Sequence, residues 1–176
     1  MHTKEIAKSL TTLLSELVDG AGAPGEAFIL NTGDAGLLRS LEKLSAADAS
    51  RGLDGGAPIA AHAQHVRYGL SLMNRWAREG GNPFADATWE AAWKITTVDA
   101  DQWAEIRGGL SREAHDWRDV LGSPREVRGV ELTGMIASIA HLAYHLGAIR
   151  QIAAAARGPR EGTWSTASPA TSERSG

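Results

Sequence analysis

The 176-residue chain contains no cysteine, and this absence excludes disulfide bonds, thiolate nucleophiles and cysteine-ligated zinc from its own chemistry. Any metal site must therefore be built from histidine, carboxylate and water. The chain also lacks a basic excess. Its formal net charge is −3, so no charge surplus attracts nucleic acid or an anionic membrane surface, and we expect neither as a partner.

Long hydrophobic runs are scarce as well. The residues after Met1 include Lys4 and Glu5 instead of the apolar centre of a signal sequence, and no window approaches the roughly 20 apolar residues of a membrane span. A cytoplasmic location is the default expectation. Because 43% of the residues are hydrophobic, a chain of this length is expected to form one domain with a substantial core.

Apolar residues recur at three- and four-residue spacing in four long segments, which is the periodicity of amphipathic helices. The segments end at Gly- and Pro-containing breaks near residues 20–25, 80–84 and 121–124. Asp99 and Gln102 form the pattern of a capping box at the start of the third helix. The pattern predicts an all-α fold, an antiparallel four-helix bundle with an elaborated connection between helices 1 and 2.

That connection contains a further helical pattern after Asp34 and a short apolar stretch, Phe28 to Leu30, which we interpret as a plug against the core. The bundle domain is predicted to occupy residues 1–157. Residues 158–176 are mostly Gly, Pro, Ser, Thr, Arg and Glu, and they predict a flexible C-terminal tail.

The last helix carries the strongest chemical signal. His141 and His145 lie in an apolar run that has no charge until Arg150, and their spacing separates them by about 40° around a helix. Both imidazoles therefore leave one face and could bind one divalent ion. The alternative is that each bonds a backbone carbonyl or a facing side chain. The spacing alone does not decide, because the motif lacks the glutamate of the HExxH metalloproteases.

The second helix contributes two more candidates. His62 and His65 are about 60° apart around its axis, so one of them could join the pair on the last helix. His62 is nearer the helix start, where a solvated histidine is common. Farther along the chain, Trp89 and Trp93 are expected either to wall one end of the domain or to fill its core.

Residues 60–68 and 140–152 resemble the DinB/YfiT-like superfamily, and residues 36–44 resemble a stretch that precedes the second helix in some members. The resemblance implies a four-helix bundle with a divalent metal bound by three histidines. Carried onto this sequence, the ligands are His65, His141 and His145. His62 has no certain counterpart, and it is interpreted as a hydrogen-bonding neighbour, a fourth ligand or neither.

The resemblance also implies a function. Similar proteins include transferases and isomerases that use low-molecular-weight thiols such as mycothiol or bacillithiol. The expected ion is zinc or nickel, and the substrate is a small molecule. Apart from the resemblance, the apolar faces of the bundle helices favour a homodimer. Three neutral ligands leave an open position where water or a thiol binds with a lowered pKa, so a thiol S-transferase or a hydrolase fits. No Asp or Glu is placed by spacing as a general base.

Two further interpretations stay open. A non-catalytic, dimerising module would use the metal for stability or for ligand sensing, with the fourth position closed by a protein group. Haem between facing histidines is the third interpretation. It fits less well, because two ligands one turn apart on a single helix suit a small ion.

Overall fold

The computed structural model describes residues 3–23 and 25–160. Within these residues all regular elements are helical and no strand occurs, which confirms the all-α prediction. In chain order the helices are α1 (Thr3–Asp19), α2 (Gly36–Glu42), α3 (Ala46–Ala49), α4 (Ile59–Glu79), α5 (Glu90–Trp93), α6 (Ala100–Gly122) and α7 (Gly129–Ile152), followed by a 3₁₀ turn (Ala154–Ala156).

The four long helices, α1, α4, α6 and α7, pack around one hydrophobic core. Helix α4 contacts α6 and α7, and α1 contacts the same two helices. The largest fully buried side chains come from all four of them and include Leu14, Leu17, Ile59, Leu110, Trp117, Leu142 and Ile149. The short helices α2 and α3 lie in the connection between α1 and α4, where the sequence predicted additional structure.

Helices α1 and α6 run in opposite directions. The Asp19 carboxylate, at the end of α1, lies 3.1 Å from the Arg118 guanidinium. Thr11, two turns earlier on α1, lies against Gly122, one turn later on α6. Contacts between α4 and α7, described below, show the same opposite order.

Helices α4 and α6 run in the same direction. Arg67 pairs with Glu105 at 3.4 Å, and farther along both helices the Asn74 amide donates to Glu113 at 2.7 Å. The prediction of an antiparallel arrangement therefore does not hold for this pair. The physical reason is the connection over residues 80–99, which contains α5 and is long enough to return the chain to the end where α4 begins.

A buried carboxylate fixes the segment after α1. Glu16 is 4% exposed, and it accepts hydrogen bonds from the backbone N–H groups of Phe28, Ile29 and Leu30 at 2.6–3.1 Å. The side chains of Phe28 and Ile29 are 70% and 44% exposed. The interpretation of this stretch as an apolar plug is therefore wrong for these two residues. The stretch is held by hydrogen bonds to its backbone, and these two side chains are exposed.

A buried ion pair holds the end of α7. Arg150 contacts Asp34 at 2.7 Å and donates to the Ala156 carbonyl at 3.2 Å. Gly158 lies directly against the Asp34 carboxylate, where a larger side chain would collide. Of the predicted tail, residues 161–176 lie outside the described residues.

Helix α7 is apolar on nearly every side. Among the described residues it is the single helix whose length and composition would suit a membrane span, and about a third of its most apolar 18-residue stretch is buried inside the protein. One side supplies core residues such as Leu142 and Ile149. The opposite side exposes Val130, Ile136 and Tyr144.

Candidate metal centre

Helices α4 and α7 bring the three predicted histidines together. The Nε2 atom of His141 lies 3.0 Å from Nε2 of His65 and 3.1 Å from Nε2 of His145. One nitrogen from each of the three rings lies within 4.8 Å of the other two. The helical spacing on α7 and the approach of α4 thus place three imidazole nitrogens around one point.

This geometry suits a divalent ion. Two nitrogens bound at about 2.1 Å, at angles between a right angle and a tetrahedral one, would lie about 3.0–3.4 Å apart. The two Nε2 separations of 3.0 and 3.1 Å are at the short end of this range. Imidazole ligands suit zinc, nickel and other first-row divalent ions alike, so the donor set leaves the ion's identity open.

The cluster is kept in the neutral form that binds metals. Burial lowers the pKa of His65 to about 4, with the nearby His141 and His62 rings as further causes. Burial lowers the pKa of His145 to about 3, again with neighbouring histidines contributing. Burial also lowers the pKa values of His62 and His141. At neutral pH the four rings are therefore uncharged and have free lone pairs.

Two tryptophans from the α4–α6 connection cover the cluster. The centre of the Trp93 ring lies 4.5 Å from that of His65 and 6.0 Å from that of His145. Trp89 lies 5.4 Å from His65. Of the two roles considered for these residues, the structure favours a wall over the histidines, because Trp93 is 40% exposed and is not a core residue.

A fourth histidine, His62, lies beside the cluster of three. The Nδ1 atom of His62 lies 3.0 Å from Nδ1 of His145, on the ring edge that faces away from the converging Nε2 atoms. His62 therefore contacts one candidate ligand without joining the set of three. Sequence reasoning left its role open, because a side chain's angle around α4 does not show which α7 atom it meets.

The remaining candidates have other partners. Tyr68 accepts a hydrogen bond from the Thr88 backbone N–H at 2.9 Å and packs against Trp89, so it supports the tryptophan wall. Tyr144 is 70% exposed and touches the edge of the His145 ring. Among the residues that the structure describes, no carboxylate belongs to the histidine cluster.

Comparisons with protein-family models, curated proteins and solved structures found no match to this chain. The assignment to the DinB/YfiT-like superfamily therefore stays a prediction, which rests on the motifs that surround the histidines. What the structure adds is independent of any family. The chain is helical, and it holds three histidines close enough together to bind one ion.

Proposed function

We propose that this protein is a DinB-like four-helix-bundle protein that binds one divalent ion through His65, His141 and His145. The observation that carries the proposal is the convergence of their three Nε2 atoms between α4 and α7. Zinc and nickel are the expected ions. The proposed activity is thiol S-transfer or hydrolysis on a small molecule in the cytoplasm, with a mycothiol- or bacillithiol-type thiol as the co-substrate for transfer.

The chain's own residues support nucleophile activation. An ion held by three neutral ligands supplies a positive charge that lowers the pKa of a bound thiol or water. His65, His141 and His145 add no negative charge that would weaken this effect. Because no carboxylate joins the described cluster, a mechanism in which binding itself acidifies the nucleophile fits better than one that needs a neighbouring general base.

Metal content is the direct test. Protein purified without a histidine tag, incubated with zinc or nickel and desalted should carry about one ion per chain by mass spectrometry. The His141→Ala, His145→Ala double variant should carry none. His115→Ala is the matched control, because His115 lies on α6 and contacts Asp19 at 3.1 Å. An empty wild type, or a double variant that binds as well as wild type, contradicts the proposal.

A second assay tests the proposed reaction. Metal-loaded wild type is incubated with an electrophile and a low-molecular-weight thiol, and in parallel with ester substrates in the absence of thiol. Turnover that needs both metal and thiol supports the transferase. Turnover of the esters by metal-loaded protein without thiol supports the hydrolase. In either case the double variant should lose the activity.

The tryptophan wall favours one alternative, a non-catalytic module stabilised by its metal. Trp89 and Trp93 cover His65, and His65 and His145 are only 8% and 4% exposed, so a substrate has little direct access to these ligands. In this case chelation should lower the midpoint of thermal unfolding, and no thiol- or water-dependent turnover should be found. The same metal-binding result would then be obtained without activity.

A further inference from the structure

We propose that His62 is a positioning residue, which accepts a hydrogen bond from His145 and thereby orients that ring toward the ion. The inference rests on the proposed metal site and assigns a role that the ligand set alone does not. The observation behind it is the 3.0 Å separation between Nδ1 of His62 and Nδ1 of His145. The other nitrogen of His145, Nε2, faces His141 at 3.1 Å.

The direction of the hydrogen bond follows from the bonding requirements of a neutral imidazole. A ring that offers the Nε2 lone pair to an ion must hold its single proton on Nδ1. His145 is therefore the donor, and His62 accepts with an unprotonated Nδ1. This fixes the tautomers of both rings: His145 is protonated on Nδ1, and His62 is protonated on Nε2. A partner that orients a ligating histidine in this way is typical of metal sites.

The geometry separates this role from that of a fourth ligand. His62 meets His145 on the side of the ring opposite to the nitrogen that joins the cluster. The centre of its own ring lies 5.2 Å from that of His145 and 5.4 Å from that of Trp93, which it meets edge to face at 83°. The ring centres of Trp93 and His145 are 6.0 Å apart, so the three rings pack against one another.

Helix register explains why this pair forms. His62 lies one turn before His65 on α4, and His145 lies one turn after His141 on α7. Since these helices run in opposite directions, the contact between His65 and His141 brings His62 to His145. His65 differs from His145, because its buried Nδ1 has no hydrogen-bond partner among the described residues. We therefore assign the positioning contact to His145.

Two variants of similar size test the proposal. His62→Asn places an amide oxygen near the position of Nδ1 and can still accept from His145, whereas His62→Leu has almost the same shape and cannot. Zinc affinity is measured by competition with a chromophoric chelator. His62→Leu should bind zinc about 10–100-fold more weakly than wild type, the range typical of lost outer-shell partners, and His62→Asn should recover most of the affinity.

A spectroscopic readout accompanies the affinity. In zinc-loaded protein with ¹⁵N-labelled histidine, long-range proton–nitrogen correlation spectra should show His145 protonated on Nδ1 and His62 protonated on Nε2. Circular dichroism and thermal unfolding confirm that both variants are folded. A purely structural role for His62 would change the unfolding midpoint but would leave the two variants equal in zinc affinity.

His145→Leu separates failure of this inference from failure of the proposed site. If His145→Leu loses zinc while His62→Leu binds like wild type, His62 is not a positioning residue and the metal site stands. If His62→Asn and His62→Leu weaken binding equally, the hydrogen bond is not the cause and the inference is overturned. If wild type does not bind zinc or nickel, the proposed function fails and this inference fails with it.

Discussion

Two buried histidines, His65 and His145, should make the stability of the metal-free protein depend on pH. His65 and His145 have folded-state pKa values of about 4 and about 3, because burial and neighbouring imidazoles disfavour their charged forms. In the unfolded chain a histidine titrates near 6.5. At pH values between the folded-state and unfolded-state pKa, the unfolded state binds more protons than the folded state. The stabilisation is therefore complete above about pH 6.5 and is lost as the pH falls toward the folded pKa values.

Metal-free protein should accordingly be less stable at pH 5 than at pH 8. We expect the free energy of unfolding from urea titration to fall by at least about 1 kcal/mol through these two groups. The His65→Leu variant removes one of the two groups, and carboxylates elsewhere respond to acid equally in both proteins. The variant should show a smaller difference between the two pH values. Equal differences in wild type and variant would contradict the prediction.

At the residue scale, the sequence predicted the three-histidine set because two kinds of information agreed. The four-residue separation of His141 and His145 places both on one face of α7, and the family resemblance selected His65 over His62. The contact between His62 and His145 could not be predicted in the same way, because it depends on which ring nitrogen of His145 faces the cluster. That choice is set by the rotation of side chains between helices, and helical periodicity contains no information about it.

At the scale of elements, a single carboxylate organises the connection between α1 and α2. Glu16 accepts from three successive backbone N–H groups, those of Phe28, Ile29 and Leu30. Hydrogen bonds to a charged acceptor are stronger than neutral ones, and buried donors left unpaired are costly. This segment is therefore held by α1 through its backbone, while two of its apolar side chains lie in solvent.

Glu16→Gln should destabilise the protein by about 2 kcal/mol, because the amide has one acceptor oxygen and directs N–H donors toward other N–H groups. Chemical denaturation gives the free energy of unfolding. Glu42→Gln is the control, since Glu42 is an exposed carboxylate at the end of α2 and should change stability little. Similar small effects from both substitutions would show that the Glu16 contacts contribute little.

Elements whose signals are local were predicted well. The capping box at α6 is present as the sequence indicated: Gln102 N–H donates to the Asp99 carboxylate at 2.8 Å, and the Gln102 side chain accepts from the Asp99 backbone at 3.0 Å. The parallel direction of α4 and α6 was not predicted. Periodicity identifies a helix and its buried face, but the direction of its neighbour depends on the path of a long connection.

At the scale of the whole molecule, the exposed side of α7 groups large apolar side chains along one long helix. Val130, Ile136 and Tyr144 are 74%, 53% and 70% exposed, and the same side carries the small residues Ala137 and Ala140. No charged residue of α7 lies between Glu131 and Arg150. A helix of this length offers a face roughly 36 Å long. Two copies that pair through it could reach the roughly 1,200 Å² of a stable interface.

We therefore predict that the expected homodimer forms through this side of α7. Ile136→Lys should convert the dimer to a monomer in size-exclusion chromatography with light scattering, because a charge would be buried within the pairing face. Leu53→Lys is a matched control: Leu53 is 55% exposed, nearly the same as Ile136, and lies in the connection before α4. It should leave the dimer intact.

A monomeric wild type at micromolar concentration, or an Ile136→Lys protein that stays dimeric, would refute the assignment. Dissociation by both variants would show that the dimer does not depend on α7 alone.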